Sequence, residues 1–490
     1  MTTTAGMPLA PIRFGTDGWR AVIGDGFTFS NLERVSQAYA RYLTMAPNQQ
    51  MAGTTETPSL VDSCRELVVI GCDRRFLSKE FAHRVAEVMA GNGLEILAFE
   101  QDVPTPLVSW AVRETQALGG VVITASHNPP EFNGFKIKAP WGGSASTSIT
   151  MDVESYLDQD QPQRSKIDLE FEASKDIISS YRRHVSDYID LDRIRSTDKR
   201  IVVDPMHGSG GNWVESFLRG SVIEVDTIRG ERDPMFGGVS PEPIDRHLGA
   251  LKTRVAAARA LIGVATDGDA DRLGAVNELG ETMTMHEVVP LMLLHLIRAK
   301  KMSGAVVTTF SQSVLTKRIA AAHDLRIFET PIGFKYIADL MLDHDILIGA
   351  EESGGIGVKG HLPERDGVLN NLLLLEAVVA CGKPPSELVL DVQREFGTFF
   401  FDRRDLQMEV ALGQDLVDRI AVAPPVKIGD DKVSTVETMD GTKLIFADES
   451  WLLLRQSGTE PVLRLYSEAT SRMKVQNLLD GGVAMAMNAR

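Results

Sequence analysis

Three times along the chain, a short apolar run is followed by a helix-like stretch, a second apolar run, more helix, and a third run ending in a small polar loop. In the first copy the runs are Leu67–Gly71, Leu94–Phe99 and Gly120–Ile123, the last leading into TASHNP. The second copy uses Arg200–Val203, Val222–Val225 and Leu261–Ala265, leading into TDGDADR. The third uses Ala305–Thr309, Leu325–Phe328 and Ile346–Ile348, leading into GAEESGG. Between them, segments such as Phe81–Ala90, Val214–Leu218 and Val314–Ala322 space their apolar residues at a helical rather than an alternating period. Strands interleaved with helices predict βαβ units, and so three related α/β domains with mixed, mostly parallel sheets. From about Asp391 the pattern changes. FGTFFFDRRDLQMEV and TVETMDGTKLIFADESWLLLRQSGTEPVLRLYSEA alternate apolar and polar residues around a Met439-Asp440-Gly441 turn, which predicts antiparallel hairpins with helices, an α+β fourth domain. The expected domains are residues 1–168, 169–278, 279–390 and 391–490. The polar stretch Gln49–Ser63 reads as a loop.

Composition narrows the class. The chain has 490 residues, 43% of them hydrophobic, enough for several independent cores. Lys and Arg number 51 against 67 Asp and Glu, a net charge of −16 with no long basic tract, so nucleic acid is not an expected partner. The longest apolar stretch, Val288–Ile297, is about half of the roughly 20 residues a membrane span needs and contains Pro290 and His295. The first residues lack a basic segment followed by an apolar core. Three cysteines, Cys64, Cys72 and Cys381, show no C-x-x-C spacing. A reducing, cytoplasmic setting without membrane contact or structural zinc is the expectation.

The polar loops follow the third strand of each repeat, where open α/β sheets bind ligands. TDGDADR sets Asp267, Asp269 and Asp271 at alternate positions directly after an apolar strand. Three such carboxylates repel one another unless they share a divalent cation, for which Mg²⁺ is the natural candidate. An EF-hand is excluded, because no Gly and Glu follow at the distances that motif requires. TASHNP presents Ser126 and His127, suited to a nucleophile or a phosphoryl carrier beside a metal, and no G-x-S-x-G elbow supports acyl hydrolysis. GAEESGG offers Glu351, Glu352 and Ser353 among glycines, a combination suited to vicinal sugar hydroxyls. RQSGTEP combines Arg455 with Ser457, Gly458 and Thr459, an arginine fork beside a turn of backbone donors that suits a phosphate. Arg20 in FGTDGWR and Lys136 in NGFK add cations for a moving phosphoryl group. Taken together, these features describe an enzyme acting on a phosphosugar.

FGTDGWR, TASHNPPEFNGFK, DPMHGSGG, TDGDADR, TPIGFKYI, GAEESGG and RQSGTEP, in this order and across essentially the whole chain, closely resemble the α-D-phosphohexomutase superfamily of phosphoglucomutases and phosphomannomutases. The resemblance implies three α/β/α sandwich domains plus the α+β domain around a central cleft, with Ser126 phosphorylated in the active enzyme. It implies Asp267, Asp269, Asp271 and a phosphoserine oxygen of residue 126 as Mg²⁺ ligands, and Arg20, His127, Lys136 and Arg272 around the transferred group. Glu351 and Ser353 are then expected on the sugar hydroxyls, and Arg455, Ser457, Gly458 and Thr459 on the non-reacting phosphate. The implied reaction interconverts a hexose 1-phosphate and 6-phosphate through a 1,6-bisphosphate. Lys335 beside an EES-type loop looks more like phosphoglucomutases than like the mannose-type enzymes, which makes glucose phosphate the expected substrate and glucose 1,6-bisphosphate the activator. A dual glucose and mannose enzyme is the alternative, and from different classes a metal-assisted phosphatase or a non-catalytic sugar-phosphate-binding protein. The separate RQSGTEP cradle speaks against the phosphatase. The expected partner is the small-molecule hexose phosphate, with the chain a monomer or a homodimer.

Overall fold

The computed structural model describes residues 11–15, 17–50, 65–458 and 461–488. They form two compact units, one running up to Thr282 and taking in Gly360–Glu376, the other holding Met283–Lys359 and the chain from Ala377 onward.

The first unit contains two sheets. One is built from β1 (Trp19–Val22), β2 (Arg65–Cys72), β3 (Glu95–Ala98), β4 (Ala117–Ile123) and β5 (Phe132–Lys138), in the order β1-β5-β4-β2-β3. The other uses β6 (Arg200–Asp204), β7 (Glu224–Thr227), β8 (Ile262–Thr266), β9 (Leu273–Asn277) and β10 (Thr282–Met283), in the order β10-β9-β8-β6-β7. In the second unit β11 (Ala305–Thr309), β12 (Ile327–Thr330), β13 (Ile346–Ala350) and β14 (Ile356–Val358) are ordered β12-β11-β13-β14. The remaining strands, β15 (Phe400–Gln407), β16 (Lys427–Ile428), β17 (Asp431–Glu437), β18 (Thr442–Phe446), β19 (Trp451–Gln456) and β20 (Val462–Ala469), are ordered β15-β20-β19-β18-β17-β16 and pair antiparallel throughout.

The repeat expected from the apolar runs is present. In each of the first three sheets the third predicted strand pairs parallel with the first, and the first with the second. The periodicity did not predict the strand that follows each polar loop. β5, β9 and β14 run back antiparallel beside β4, β8 and β13, so each chemically loaded loop is a hairpin tip clamped between two paired strands. β4, β8 and β13 are buried along their whole length, which explains their unbroken apolar character and fixes the loops on rigid elements.

Local chemistry sets the helices. Helix Met285–Arg298 opens with a capping box, Thr284 and Glu287 each bonding the other's backbone, and helix Val314–Ala322 is capped by Ser313 accepting from the Leu315 N–H. In the first sheet Val68, Ile70, Val121 and Ile123 belong to one core with Leu32, Val35, Phe81 and Val85. In the antiparallel sheet Leu444, Leu452, Leu454, Leu463 and Leu465 share a core with helices Val410–Val422 and Arg472–Met487. Burying each such side chain stabilises by about 1.5–3 kcal/mol.

The expected domain edges fall unevenly on these elements. Residue 278 precedes β10, which completes the second sheet, helix Pro385–Phe396 spans residues 390 and 391, and Gly360–Glu376 packs with the first unit. Gln49 and Gln50, expected in a loop, end helix Phe29–Gln50, because that helix runs past its apolar stripe, and residues 51–63 lie outside the described residues. Among the described residues no helix is long and apolar enough to cross a membrane.

Candidate active site

The first unit brings two of the loops together. Ser126 stands beyond the end of β4 and Asp267 beyond the end of β8, and Ser126 Oγ donates to Asp267 Oδ2 at 2.8 Å. Their approach depends on Gly268, where a Cβ would lie 2.4 Å from the Ser126 carbonyl oxygen and 2.9 Å from Pro241. Asp267 Oδ1 accepts the N–H groups of Asp271 and Arg272, which curls the loop back on itself, and Ala270 takes a left-handed φ of 59° so that Asp269 and Asp271 turn inward.

Asp267, Asp269 and Asp271 are all fully buried, and one carboxylate oxygen from each lies within 4.8 Å of the others. Lys136 Nζ donates to the Oδ2 atoms of Asp269 and Asp271 at 2.9 and 3.0 Å, and Thr105 Oγ1 donates to Asp269 Oδ2 at 2.7 Å. The Oδ1 atoms of Asp269 and Asp271 are buried with no hydrogen-bond partner. Burial, reinforced by Asp271 and Asp269, raises the Asp267 carboxyl well above the ordinary range. Burial pushes Asp269 the same way, but Lys136 and Thr105 outweigh it and hold that carboxyl low. Orphaned hard oxygens beside a carboxyl that resists ionisation are what a divalent cation would satisfy, so this donor set fits Mg²⁺.

Lys136 is a strand residue of β5, directly opposite Val122 of β4, and its ammonium also meets Asp17 at 2.9 Å. Burial alone would weaken its charge, yet Asp17, Asp269 and Asp271 hold the group above its usual range. Arg20, on β1, donates to Asn128 Oδ1 of the serine loop at 2.6 Å. His127 Nδ1 lies 3.4 Å from Ser126 Oγ, and burial with Arg272, Arg20 and Lys136 nearby keeps its imidazole well below the ordinary histidine value. Arg272 approaches Glu242 at 3.8 Å, and its Nε is buried without a partner.

The second unit gathers the other loops. Glu351 is buried in a tight turn, the Gly354 N–H donating to its carbonyl, and Ser353 is half-buried beside it. Glu352 accepts from Ser311 Oγ at 3.3 Å and lies 3.6 Å from Arg403. Asp440 links two predicted pieces, since it accepts both Arg455 Nε at 2.9 Å and the backbone N–H of Ile332 at 2.8 Å, three residues before Lys335. Lys335 Nζ rests over the Tyr336 ring, Ser457 is buried with its N–H donating to the Val462 carbonyl, and Gly458 is exposed. Thr459 lies outside the described residues.

Sequence reasoning missed several members. Asp17 and Arg365 form an ion pair, and Arg365 also meets Asp271 Oδ2 at 2.9 Å. Thr105, Asp73 and Arg75 hold the loops from behind. The signal available for Asp17 was its place inside FGTDGWR. Thr105 and Arg365 lie 164 and 94 positions from the aspartates they meet, too far for any local pattern.

Profiles of the phosphoglucomutase/phosphomannomutase family match almost the whole chain. Alpha/beta/alpha domain I matches residues 11–164, domain II residues 179–280, domain III residues 285–396 and the C-terminal domain residues 414–481. A phosphoglucomutase/phosphomannomutase from Thermococcus kodakarensis is 29% identical over 97% of this chain and 98% of its own. A phosphoglucosamine mutase from Novosphingobium aromaticivorans is 28% identical over 95% of this chain and 97% of its own. A crystal structure from Thermus thermophilus, carrying a provisional phosphomannomutase name, is 34% identical with a TM-score of 0.84 and covers 98% of this chain and 100% of its own.

Proposed function

Because the chain belongs to the phosphoglucomutase/phosphomannomutase family and is a phosphohexomutase, we propose that it interconverts glucose 1-phosphate and glucose 6-phosphate through a phosphorylated Ser126 and glucose 1,6-bisphosphate. The observation that carries this reading is the 2.8 Å contact between Ser126 Oγ and Asp267 in a pocket of three buried aspartates and Lys136. In the forward half the Oγ–P bond of phosphoserine breaks as the free sugar hydroxyl forms a new O–P bond. The hydroxyl's proton is given up, and Ser126 Oγ regains one. In the return half the other phosphoryl group moves from the bisphosphate to Oγ, leaving the isomeric monophosphate and the phosphoenzyme.

Asp267, Asp269 and Asp271, with an oxygen of phosphorylated residue 126, are the residues to hold Mg²⁺, which when bound supplies charge compensation to phosphoryl oxygens. Arg20, Lys136 and Arg272 add fixed positive charge around the same group, which stabilises negative charge as it spreads in the transition state. His127 stands within reach of Ser126 Oγ for proton exchange. Glu351 and Ser353 are assigned to the sugar hydroxyls, and Arg455, Ser457, Gly458 and Thr459 to the non-reacting phosphate. Since Arg455 is already oriented by Asp440, Arg455→Ala is expected to raise KM by about 10- to 100-fold, the scale of one charge-assisted hydrogen bond, with a smaller change in kcat. An unchanged saturation curve removes Arg455 from the phosphate site.

The GFK string carrying Lys335, together with the EES-type string Glu351-Glu352-Ser353, resembles phosphoglucomutases and supports glucose over mannose phosphate. The name of the Thermococcus relative favours dual glucose and mannose activity as the second reading. A coupled assay with Mg²⁺ and a trace of glucose 1,6-bisphosphate tests both, comparing the 1-phosphates of glucose, mannose and glucosamine while following free phosphate. Fast conversion of glucose 1-phosphate without phosphate release is expected. Comparable mannose turnover makes the enzyme dual, and turnover of glucosamine phosphate alone overturns the reading of Lys335.

A further inference from the structure

Arg75 touches neither of the aspartate oxygens left open nor any group assigned to substrate, yet its side chain is wholly buried directly behind the serine loop. All five of its N–H donors are used. Nε donates to Asp73 Oδ2 at 3.1 Å, Nη1 to the carbonyls of Pro129 and Phe132 at 2.7 and 3.1 Å, and Nη2 to the carbonyls of Ser126 and Asn128, both at 2.6 Å. Four carbonyl dipoles of a single loop therefore converge on one guanidinium, an arrangement that disperses if the cation is removed. Asp73 anchors the other side. It accepts from Thr124 Oγ1 at 2.6 Å, and that same oxygen accepts the Ser126 N–H at 2.8 Å. Both backbone polar groups of Ser126 are thus fixed by side chains that meet at Asp73.

What this clamp holds is an unfavourable conformation. Ser126 has a φ of 52°, in the left-handed region that a residue with a Cβ rarely occupies unless its surroundings impose it. That same turn aims Oγ at Asp267. Ser78 Oγ and the Arg75 N–H complete the shell of Asp73, and the Phe236 ring lies 4.9 Å from the guanidinium. The clamp is thus a built, fully satisfied polar core rather than an incidental contact.

We infer that Arg75, acting with Asp73 and Thr124, is the positioning residue of the phosphoryl carrier: it holds Ser126 in the left-handed turn from which Oγ gives and receives the phosphoryl group. The inference rests on Ser126 being that carrier. Arg75 makes no contact with the transferred group, so its loss acts on transfer and not on substrate affinity. A displacement of about 1 Å at a reacting atom costs on the order of 100-fold in rate.

Three full-length proteins test this: wild type, Arg75→Lys, which keeps the charge but not the planar fork, and Thr124→Val, which keeps the shape but removes the bond between Asp73 and the Ser126 backbone. The readouts are kcat and KM for glucose 1-phosphate, the fraction of Ser126 phosphorylated after incubation with glucose 1,6-bisphosphate by peptide mass spectrometry, and the melting temperature. We expect kcat to fall about 100-fold in Arg75→Lys and about tenfold in Thr124→Val at temperatures far below melting. KM should stay within about twofold of wild type, and phosphorylation of Ser126 should slow in parallel with kcat. A purely structural role would lower the melting temperature alone. Should Arg75→Lys not fold, Thr124→Val decides. Wild-type kcat and phosphorylation rate in the variants, with Ser126 phosphorylated in the wild type, overturn this inference alone. A wild type that turns over without ever carrying phosphate on Ser126 overturns the assignment of the carrier, and this inference with it.

Discussion

Ser126→Ala is expected to lower kcat at least about a thousandfold while the protein keeps its fold, because the substitution removes the only atom proposed to carry phosphate. The loop does not depend on that atom. Its geometry is set by the Ser126 backbone, whose N–H and carbonyl are held by Thr124 and Arg75, and alanine retains both groups. What disappears is the Oγ–Asp267 hydrogen bond, while the bonds of Lys136 and Thr105 to the aspartate loop remain. Steady-state turnover with a trace of glucose 1,6-bisphosphate, together with circular dichroism and a thermal melt, separates the two effects. A folded variant within tenfold of wild-type kcat would show that some other residue carries the phosphoryl group.

Asp269→Asn is the second large effect. Asp269 uses Oδ2 for Lys136 and Thr105 and leaves Oδ1 buried and unpartnered. An asparagine amide fails in either orientation. With its NH₂ group at the Oδ2 position it faces the Lys136 ammonium donor to donor, and at the Oδ1 position it replaces a cation-binding oxygen by a donor. In both, one negative charge is lost from the triad. The Mg²⁺ concentration for half-maximal rate is expected to rise by at least about tenfold, with kcat falling on the order of 100-fold. Titration calorimetry with Mg²⁺ alone gives a readout that does not depend on turnover. Identical Mg²⁺ binding and rate response in the two proteins would remove Asp269 from the cation site.

Much of this was legible in the sequence because the chemistry sits in contiguous strings. TASHNP, TDGDADR and GAEESGG each follow a strand buried on both faces, and an unbroken apolar run stopped by polar residues is a local signal. The returning strands β5, β9 and β14 were hidden for the opposite reason. β14 has only three residues, and β5 is broken by lysines whose burial makes sense only once their partners are known. The supporting residues were hidden by distance. Asp73 meets Thr124 across 51 positions and Thr105 meets Asp269 across 164, so nothing near Asp73 or Thr105 marks them. Arg75 is the extreme case, because five polar contacts on a fully buried arginine look, in sequence, like one more surface cation in a Cys-Asp-Arg-Arg run.

The return of Gly360–Glu376 to the first unit has a consequence for any attempt to divide the protein. Lys138 is fully buried, and Glu364, also fully buried, is its ion-pair partner at 2.6 Å, with Ser144 bridging the pair. A fragment ending near Thr282 would retain the lysine and lose the glutamate. An ammonium stranded in the core costs about 3–5 kcal/mol, a large share of the stability of an ordinary domain. A fragment ending near Thr282 is therefore expected to be less stable than the same residues in the whole chain. During synthesis, the interior charge balance of the first unit is completed only after more than 360 residues have been made, which places its final consolidation late in translation.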